Sequence, residues 1–367
     1  MATTRPRLRE LGITVGKLEP GPLNAITDVP GVAVGHATII ADHPHVLRTG
    51  VTVVMPEADP WSHEFFAGVH SFNGCGEFTG WIWLEESGCL TSPICLTSTY
   101  SVGAVRDALI SIAGDRGHRR HWHLGLVGET HDGWLNDGYA MAVTRREVEA
   151  AIDAARSGPV AEGAVGGGTG MICHEFKGGI GTASRLVECG GGRLTLGVLV
   201  QANYGAREDL RVDGVPVGRA IGKDQVPSPR DKPLDAGGSI LIVVATDAPL
   251  LPMQCRRLAQ RAASGLGRTG GFGHNGSGDL FIAFSTGNRL ETKGDDFLTH
   301  GPARPPIHVA MLPNGEMNPL MVATAEATEE AILNALCRAE TMRGIDGRIA
   351  HALPLDRLQE IWRKERG

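Results

Sequence analysis

The chain has 367 residues, 42% of them hydrophobic, and a net charge of −6, with no basic run interleaved with aromatics. That supplies a large core for one or two domains and argues against a nucleic-acid partner. Seven cysteines, odd in number and without a C-x-x-C, fit reduced thiols in the cytoplasm; the charged stretch from Met1 to Glu19 lacks an apolar run of signal-peptide length, and no run anywhere reaches membrane-span length.

Glycine is abundant at 51 residues and aromatics are scarce at 5%, which points to tight turns and close backbone approaches between apolar strands. In chain order, residues 26–40 read as extended and glycine-punctuated. Apolar runs at 51–55 and 93–96 predict strands, and a helix follows over 102–112. A strand at 123–127 runs on to end at Glu129. Thr144 as N-cap with Glu147 three residues later predicts a helix over 145–156. Strands are expected at 193–200 and 239–245, then a helix over 250–264 that ends at Gly265. Further strands are expected at 280–284 and 308–312, then helices over 319–342 and 355–363. The strands are apolar runs rather than alternations, so both faces are covered. Layered sheets packed between helices are the simplest architecture, and no internal repeat is visible.

The pair Gly238-Ser239 stands out. A Pro-rich stretch at 226–233 leads to Asp235-Ala236-Gly237-Gly238-Ser239, and an all-apolar strand begins at once. That is the layout of a precursor that cuts itself. Cleavage before Ser239 creates a serine at a new chain start, whose α-amine has a pKa of about 7.7–8.0. Such an amine can act as base for the hydroxyl beside it. The same residues also read as a Gly-Gly turn entering a core strand.

Four other clusters carry candidate chemistry, each with a structural alternative. Ser277 and Asp279, two apart before the strand at 280–284, share a face if extended and can relay a proton; they also suit a capped turn. Asn203 follows the strand at 193–200, where a side-chain amide can donate to an oxyanion or close the strand as an Asx-turn. Glu129 ends a strand, where α/β sheets often hold ligand groups; it suits a substrate ammonium, with Trp134 as an apolar wall, or belongs to a solvated acidic loop. The glycine-rich segment 163–181 fits neither phosphate-loop pattern and reads as close backbone packing. His63-Glu64 and His174-Glu175 begin like H-E-x-x-H, but Ala67 and Gly178 stand where the second histidine belongs. His121 and His123 lack a third ligand, so no metal or other cofactor is expected.

Taken together, these blocks resemble the DmpA-type aminopeptidases, the P1 or S58 family of self-processing N-terminal-serine hydrolases. That family includes L-aminopeptidase/D-amidase-esterases and β-peptidyl aminopeptidases. The resemblance rests on Asn73-Gly74-Cys75-Gly76-Glu77, Val127-Gly128-Glu129-Thr130, residues 165–181, residues 200–205, Gly237-Gly238-Ser239-Ile240 and Ser277-Gly278-Asp279. It runs from Asn24 to about Gly344. It implies an αββα sandwich like that of N-terminal-nucleophile hydrolases, in a single domain over 1–367 that cuts itself into an α chain 1–238 and a β chain 239–367. It implies Ser239 as nucleophile, Ser277 and Asp279 as proton-transfer partners, Asn203 as oxyanion donor and Glu129 as holder of the substrate amine. It implies small peptides or amino-acid amides and esters as substrates, β-peptides among them, and a homotetramer of αβ units. Position 279 is Glu in some β-peptidyl enzymes and Asp here, one methylene shorter. At position 131, where some relatives carry an aromatic hydroxyl, this chain has His131. Two alternatives stand beside this reading: an acyl transferase like the ornithine acetyltransferases, and an uncleaved, non-catalytic family member.

Overall fold

The computed structural model describes residues 5–119, 122–229, 238–291 and 305–366. One sheet has four strands in the order β1 (Ala33–Ala41), β2 (Leu47–Met55), β5 (Ile94–Ser98) and β6 (Leu126–Thr130). The other has six, in the order β4 (Cys89–Leu90), β3 (His63–Gly74), β12 (Gly278–Glu291), β11 (Ser239–Thr246), β10 (Gly192–Asn203) and β9 (Gly179–Cys189). Between β6 and β9 run helix α3 (Arg145–Ala154) and the short strands β7 (Ile172–Cys173) and β8 (Phe176–Lys177). Helices α1 (Trp81–Ser87) and α2 (Val102–Asp115) precede β4 and β6 respectively. The short helix α4 (Val217–Ala220) follows β10, α5 (Pro252–Arg268) follows β11, and α6 (Met317–Arg338) and α7 (Leu355–Arg366) close the chain.

These elements stack as helices, sheet, sheet, helices. Val105, Leu109 and Ile112 of α2 and Val148 and Ile152 of α3 pack on Val51 and Val53 of β2. Between the sheets, Val54, Ile94 and Leu96 meet Leu199, Leu241, Val243 and Ile282. On the far face, Ile240, Ile242 and Val244 meet Leu258 of α5 and Ala331 of α6. Strand β11 therefore alternates between two buried layers, which is why its sequence is apolar at every step. The expected αββα layering is present. The Thr144–Glu147 capping box is also present: the Glu147 carboxylate accepts the Thr144 N–H at 2.9 Å.

Some elements differ from the sequence reading. Residues 308–312 form no strand. Their backbone groups bond side chains instead: Ala310 N–H donates to Asn288 Oδ1 and Leu312 O accepts from Gln254 Nε2. The strand expected from residue 123 starts at Leu126. Strands β3 and β9 and helix α1 were not expected at all. His121 and the residues 230–237 that lead into the Gly-Ser pair lie outside the described residues. Among the described residues no helix is long and apolar enough to cross a membrane.

Leu241 is fully buried between the sheets. Leu241→Ala is expected to lower stability by about 2–5 kcal/mol through lost burial and the cavity left behind. The urea midpoint measures it; a loss under about 1 kcal/mol would mean that the layers close over the gap.

Candidate active site

Three strand ends meet at one edge of the six-stranded sheet. Asn203, last in β10, pairs with Ser239, first in β11; Ser239 pairs with Gly278, first in β12. Gly278 in turn faces Gly74, last in β3. Ser239 shares the inter-sheet face with Leu241 and Val243, because side chains on a strand alternate. Across the gap, β6 of the other sheet ends with Glu129 and Thr130. A cavity of about 610 Å³ opens between them, lined by Cys75, Gly76, Glu77, Thr99, Glu129, His131, Trp134, Ile172, Asn203, Gly238, Ser239 and Gly276.

Each polar group there is held. Ser239 is 6% exposed and its Oγ accepts the Gly278 N–H at 3.0 Å. Asn203 Oδ1 accepts the Ile172 N–H at 2.8 Å, and Nδ2 donates to the His131 carbonyl at 3.0 Å. An amide nitrogen carries two protons, so the second is left for the cavity. Glu129 Oε1 accepts the Glu77 N–H at 2.9 Å and Oε2 accepts the Thr99 hydroxyl. Burial pushes the Glu129 carboxyl above its ordinary range, while the bonds from Thr99 and Glu77 pull it back. Trp134 lines the wall, its ring covered by the Arg348 guanidinium 4.6 Å from the centroid.

Ser277 and Asp279 do not line the cavity but stand behind Ser239. The Ser277 hydroxyl donates to Asp279 Oδ1 at 2.6 Å, and the Asp279 carboxylate also accepts the Ile240 N–H. Burial pushes the Asp279 carboxyl up to about 6, against the pull of those two bonds and of His274. Gly238 has a packing reason to be glycine: a Cβ there would lie 2.3 Å from Asn203 O and 2.8 Å from Tyr204 Cα. The glycine-rich segment packs as expected, since a Cβ on Gly178 would lie 2.5 Å from Ala202 O.

Glu129, Trp134, Asn203, Gly238 and Ser239, singled out separately in the sequence, line one cavity. Sequence reasoning assigned nothing to Thr99, Glu77 or Ile172. Glu77 sits in the Asn73–Glu77 block that carried part of the resemblance, but its contribution is a backbone N–H. Among the described residues no group of three His, Cys, Asp or Glu side chains is placed to hold a metal.

Residues 24–350 match the profile of peptidase family S58. The chain belongs to that family. It is 44% identical to the β-peptidyl aminopeptidase BapA of Sphingosinicella microcystinivorans, over 98% of this chain and 93% of that protein. With the BapA of Sphingosinicella xenopeptidilytica it shares 42%, over 97% and 90%. The solved β-aminopeptidase of a Burkholderia species superposes with a TM-score of 0.91 at 49% identity, over 98% of this chain and 99% of that one. The L-aminopeptidase D-Ala-esterase/amidase of Ochrobactrum anthropi, described as a variant of the Ntn-hydrolase fold, superposes with a TM-score of 0.88 at 40% identity, over the same shares. The S58 protein is thus an aminopeptidase/amidase with an Ntn-hydrolase-like layered fold, and the acyl-transferase alternative is not favoured.

The raised Asp279 pKa makes stability depend on pH. Well below pH 4 the carboxyl is neutral in both folded and unfolded chains; between about pH 4 and 6 the unfolded carboxyl is ionised while the buried one keeps its proton, so stability is lost across that window and is constant above it. Asp279→Asn cannot ionise. In chains held uncut by Ser239→Ala, the stability of Asp279→Asn relative to Asp279 is expected to rise by roughly 3 kcal/mol between pH 4 and 7. Urea unfolding at each pH measures it; a flat difference would contradict the shift.

Proposed function

We propose that this S58 enzyme is a self-processing aminopeptidase with Ser239 as its N-terminal nucleophile. The observation that carries the reading is the convergence of Ser239, Asn203 and Glu129 on one cavity, with the Ser277–Asp279 pair directly behind the strand start. In the first step, Ser239 Oγ attacks the Gly238 carbonyl. The C–N bond breaks, the amine of residue 239 takes a proton, and an ester links Gly238 to Oγ. Water then hydrolyses that ester, giving an α chain 1–238 and a β chain 239–367 within the same folded domain.

In turnover the freed amine, neutral above about pH 8, takes the Oγ proton as Ser239 attacks the substrate carbonyl. The charge that develops on oxygen is met by the second Nδ2 proton of Asn203. The leaving amine collects a proton from the residue 239 ammonium, and water releases the acyl group by the same route in reverse. Asp279 and Ser277, bonded to each other and to the Ile240 N–H, are suited to holding the ammonium one residue away. Glu129, anchored by Thr99 and Glu77, is suited to the substrate's own ammonium, with Trp134 beside it.

The substrate class is small peptides and amino-acid amides or esters with a free N-terminal amine. The identities to β-peptidyl aminopeptidases support the inclusion of β-peptides in this class. All seven cysteines are free thiols, which supports a reducing compartment, the cytoplasm. The family resemblance supports a homotetramer of αβ units.

Ser239→Ala is expected to stay one full-length chain, because the attacking hydroxyl is gone; intact mass decides this, and cutting at the wild-type rate would sink autocatalysis. Glu129→Gln is expected to lower kcat/KM by roughly 1.5–3 kcal/mol through loss of a charged hydrogen bond. Equal turnover of a free-amine anilide and its N-acetylated form by the wild type would remove the ammonium role.

A further inference from the structure

Lys177 is fully buried, yet the reaction as derived does not use it. Its Nζ donates to Met171 O at 2.8 Å, Gly178 O at 2.8 Å and Gly168 O at 3.3 Å. The ammonium form carries a proton for each of the three, while burial pushes its pKa down to about 7 against the pull of Cys173 and Asp132. Burying an ammonium among carbonyls is costly, so its position calls for a reason.

The geometry gives one. Met171 O and the Ile172 N–H belong to the same peptide group. The carbonyl end accepts from Lys177 and, at 2.9 Å, from the Gly178 N–H, and the N–H end donates to Asn203 Oδ1 at 2.8 Å. Asn203 Nδ2 then faces the cavity and the His131 carbonyl. The bonds run head to tail in one direction: ammonium, peptide, side-chain amide, cavity. Bonds so aligned polarise one another, and each leaves its neighbour one orientation. A flipped Asn203 amide would set Nδ2 against the Ile172 N–H, donor against donor.

We propose that Lys177 is a positioning residue that orients and polarises the Asn203 amide through the Met171–Ile172 peptide. The inference rests on Asn203 being the oxyanion donor. Lys177 keeps that donor aimed and polarised, some distance from the substrate.

A double-mutant cycle tests it. kcat and KM for a free-amine anilide are measured on cut enzyme, checked by intact mass, for wild type, Lys177→Met, Asn203→Ala and the double variant. Asn203→Ala alone is expected to lower kcat by about 10²–10³. Lys177→Met should lower kcat at least about tenfold with KM within about twofold, as for an interaction made only in the transition state. In the Asn203→Ala background it should have no further effect beyond about twofold. Lys177→Gln, which keeps a donor for Met171 O, should recover part of the lost kcat. A variant that stays uncut is read by its self-cleavage rate in the same cycle, because attack on Gly238 also forms an oxyanion. Equal losses from Lys177→Met in both backgrounds would overturn the coupling, as would an unchanged kcat where Asn203→Ala lowers it. If neither Lys177 variant folds by circular dichroism, Lys177 serves the fold alone and the proposal falls. An unchanged kcat in Asn203→Ala overturns the oxyanion reading itself, and the proposal with it.

Discussion

The pairing register of β10, β11 and β12 at one sheet edge is the constraint on which the rest depends. It sets Asn203 opposite Ser239 and Ser239 opposite Gly278. Side chains on a strand alternate, so a slip of one residue would turn Ser239 toward the helices and bring Ile240 to the cavity. The register resists such a slip because β11 is buried on both faces: Leu241 and Val243 fit the inter-sheet layer, and Ile240 and Ile242 fit α5 and α6. The precision of the site is thus a consequence of core packing along the whole strand, not of contacts within the site.

The second sheet completes the site by facing the first. Glu129 on β6 meets a cavity wall built from β10 and β11, and its carboxylate is fixed by a hydroxyl and a backbone N–H rather than by a basic side chain. That choice matters electrostatically. A fixed cation would have lowered the carboxyl pKa and competed with an incoming ammonium, whereas neutral donors hold the group in place and leave its charge unpaired. The same pattern recurs at Asp279, which is bonded to Ser277 and a backbone N–H. Both carboxyls are pushed upward by burial, so both gain from a nearby ammonium.

Much of this was legible in the sequence because it sits at strand ends, where punctuation and polar residues meet apolar runs. Gly238-Ser239, Ser277 with Asp279, Asn203 and Glu129 each border such a run. What was not legible depends on distant partners or on backbone. Strand β9 carries Ser184 and Arg185, which break the apolar pattern; Arg185 is nevertheless fully buried, paired with Glu326 and Glu330 of α6. Strand β3 has polar ends at His63 and Asn73 and lost its signal there. Residues 308–312 look like a strand, but the Asn288 and Gln254 side chains took their hydrogen bonds. Thr99 simply follows a strand, and the Ile172 and Glu77 donors are main-chain groups that no residue type announces.

The glycine-rich segment 163–181 explains why backbone does so much here. Gly168 and Gly178 let the chain lie against Ile180 N and Ala202 O, each at 2.5 Å from where a Cβ would stand. With side chains excluded, the groups that remain to face the sheet edge are peptide N–H and C=O. They are rigid, and they carry dipoles that need no reorganisation when charge develops. Their cost is that an uncovered carbonyl in such a place must find a donor. Gly168 O accepts the Met171 N–H at 3.3 Å and Met171 O the Gly178 N–H at 2.9 Å, and Lys177 Nζ gives each a second donor. A buried cation under a glycine-rich turn is therefore the physical complement of a donor set made from backbone: the glycines allow the approach, and the ammonium adds a second donor to the carbonyls that the approach turns away from water.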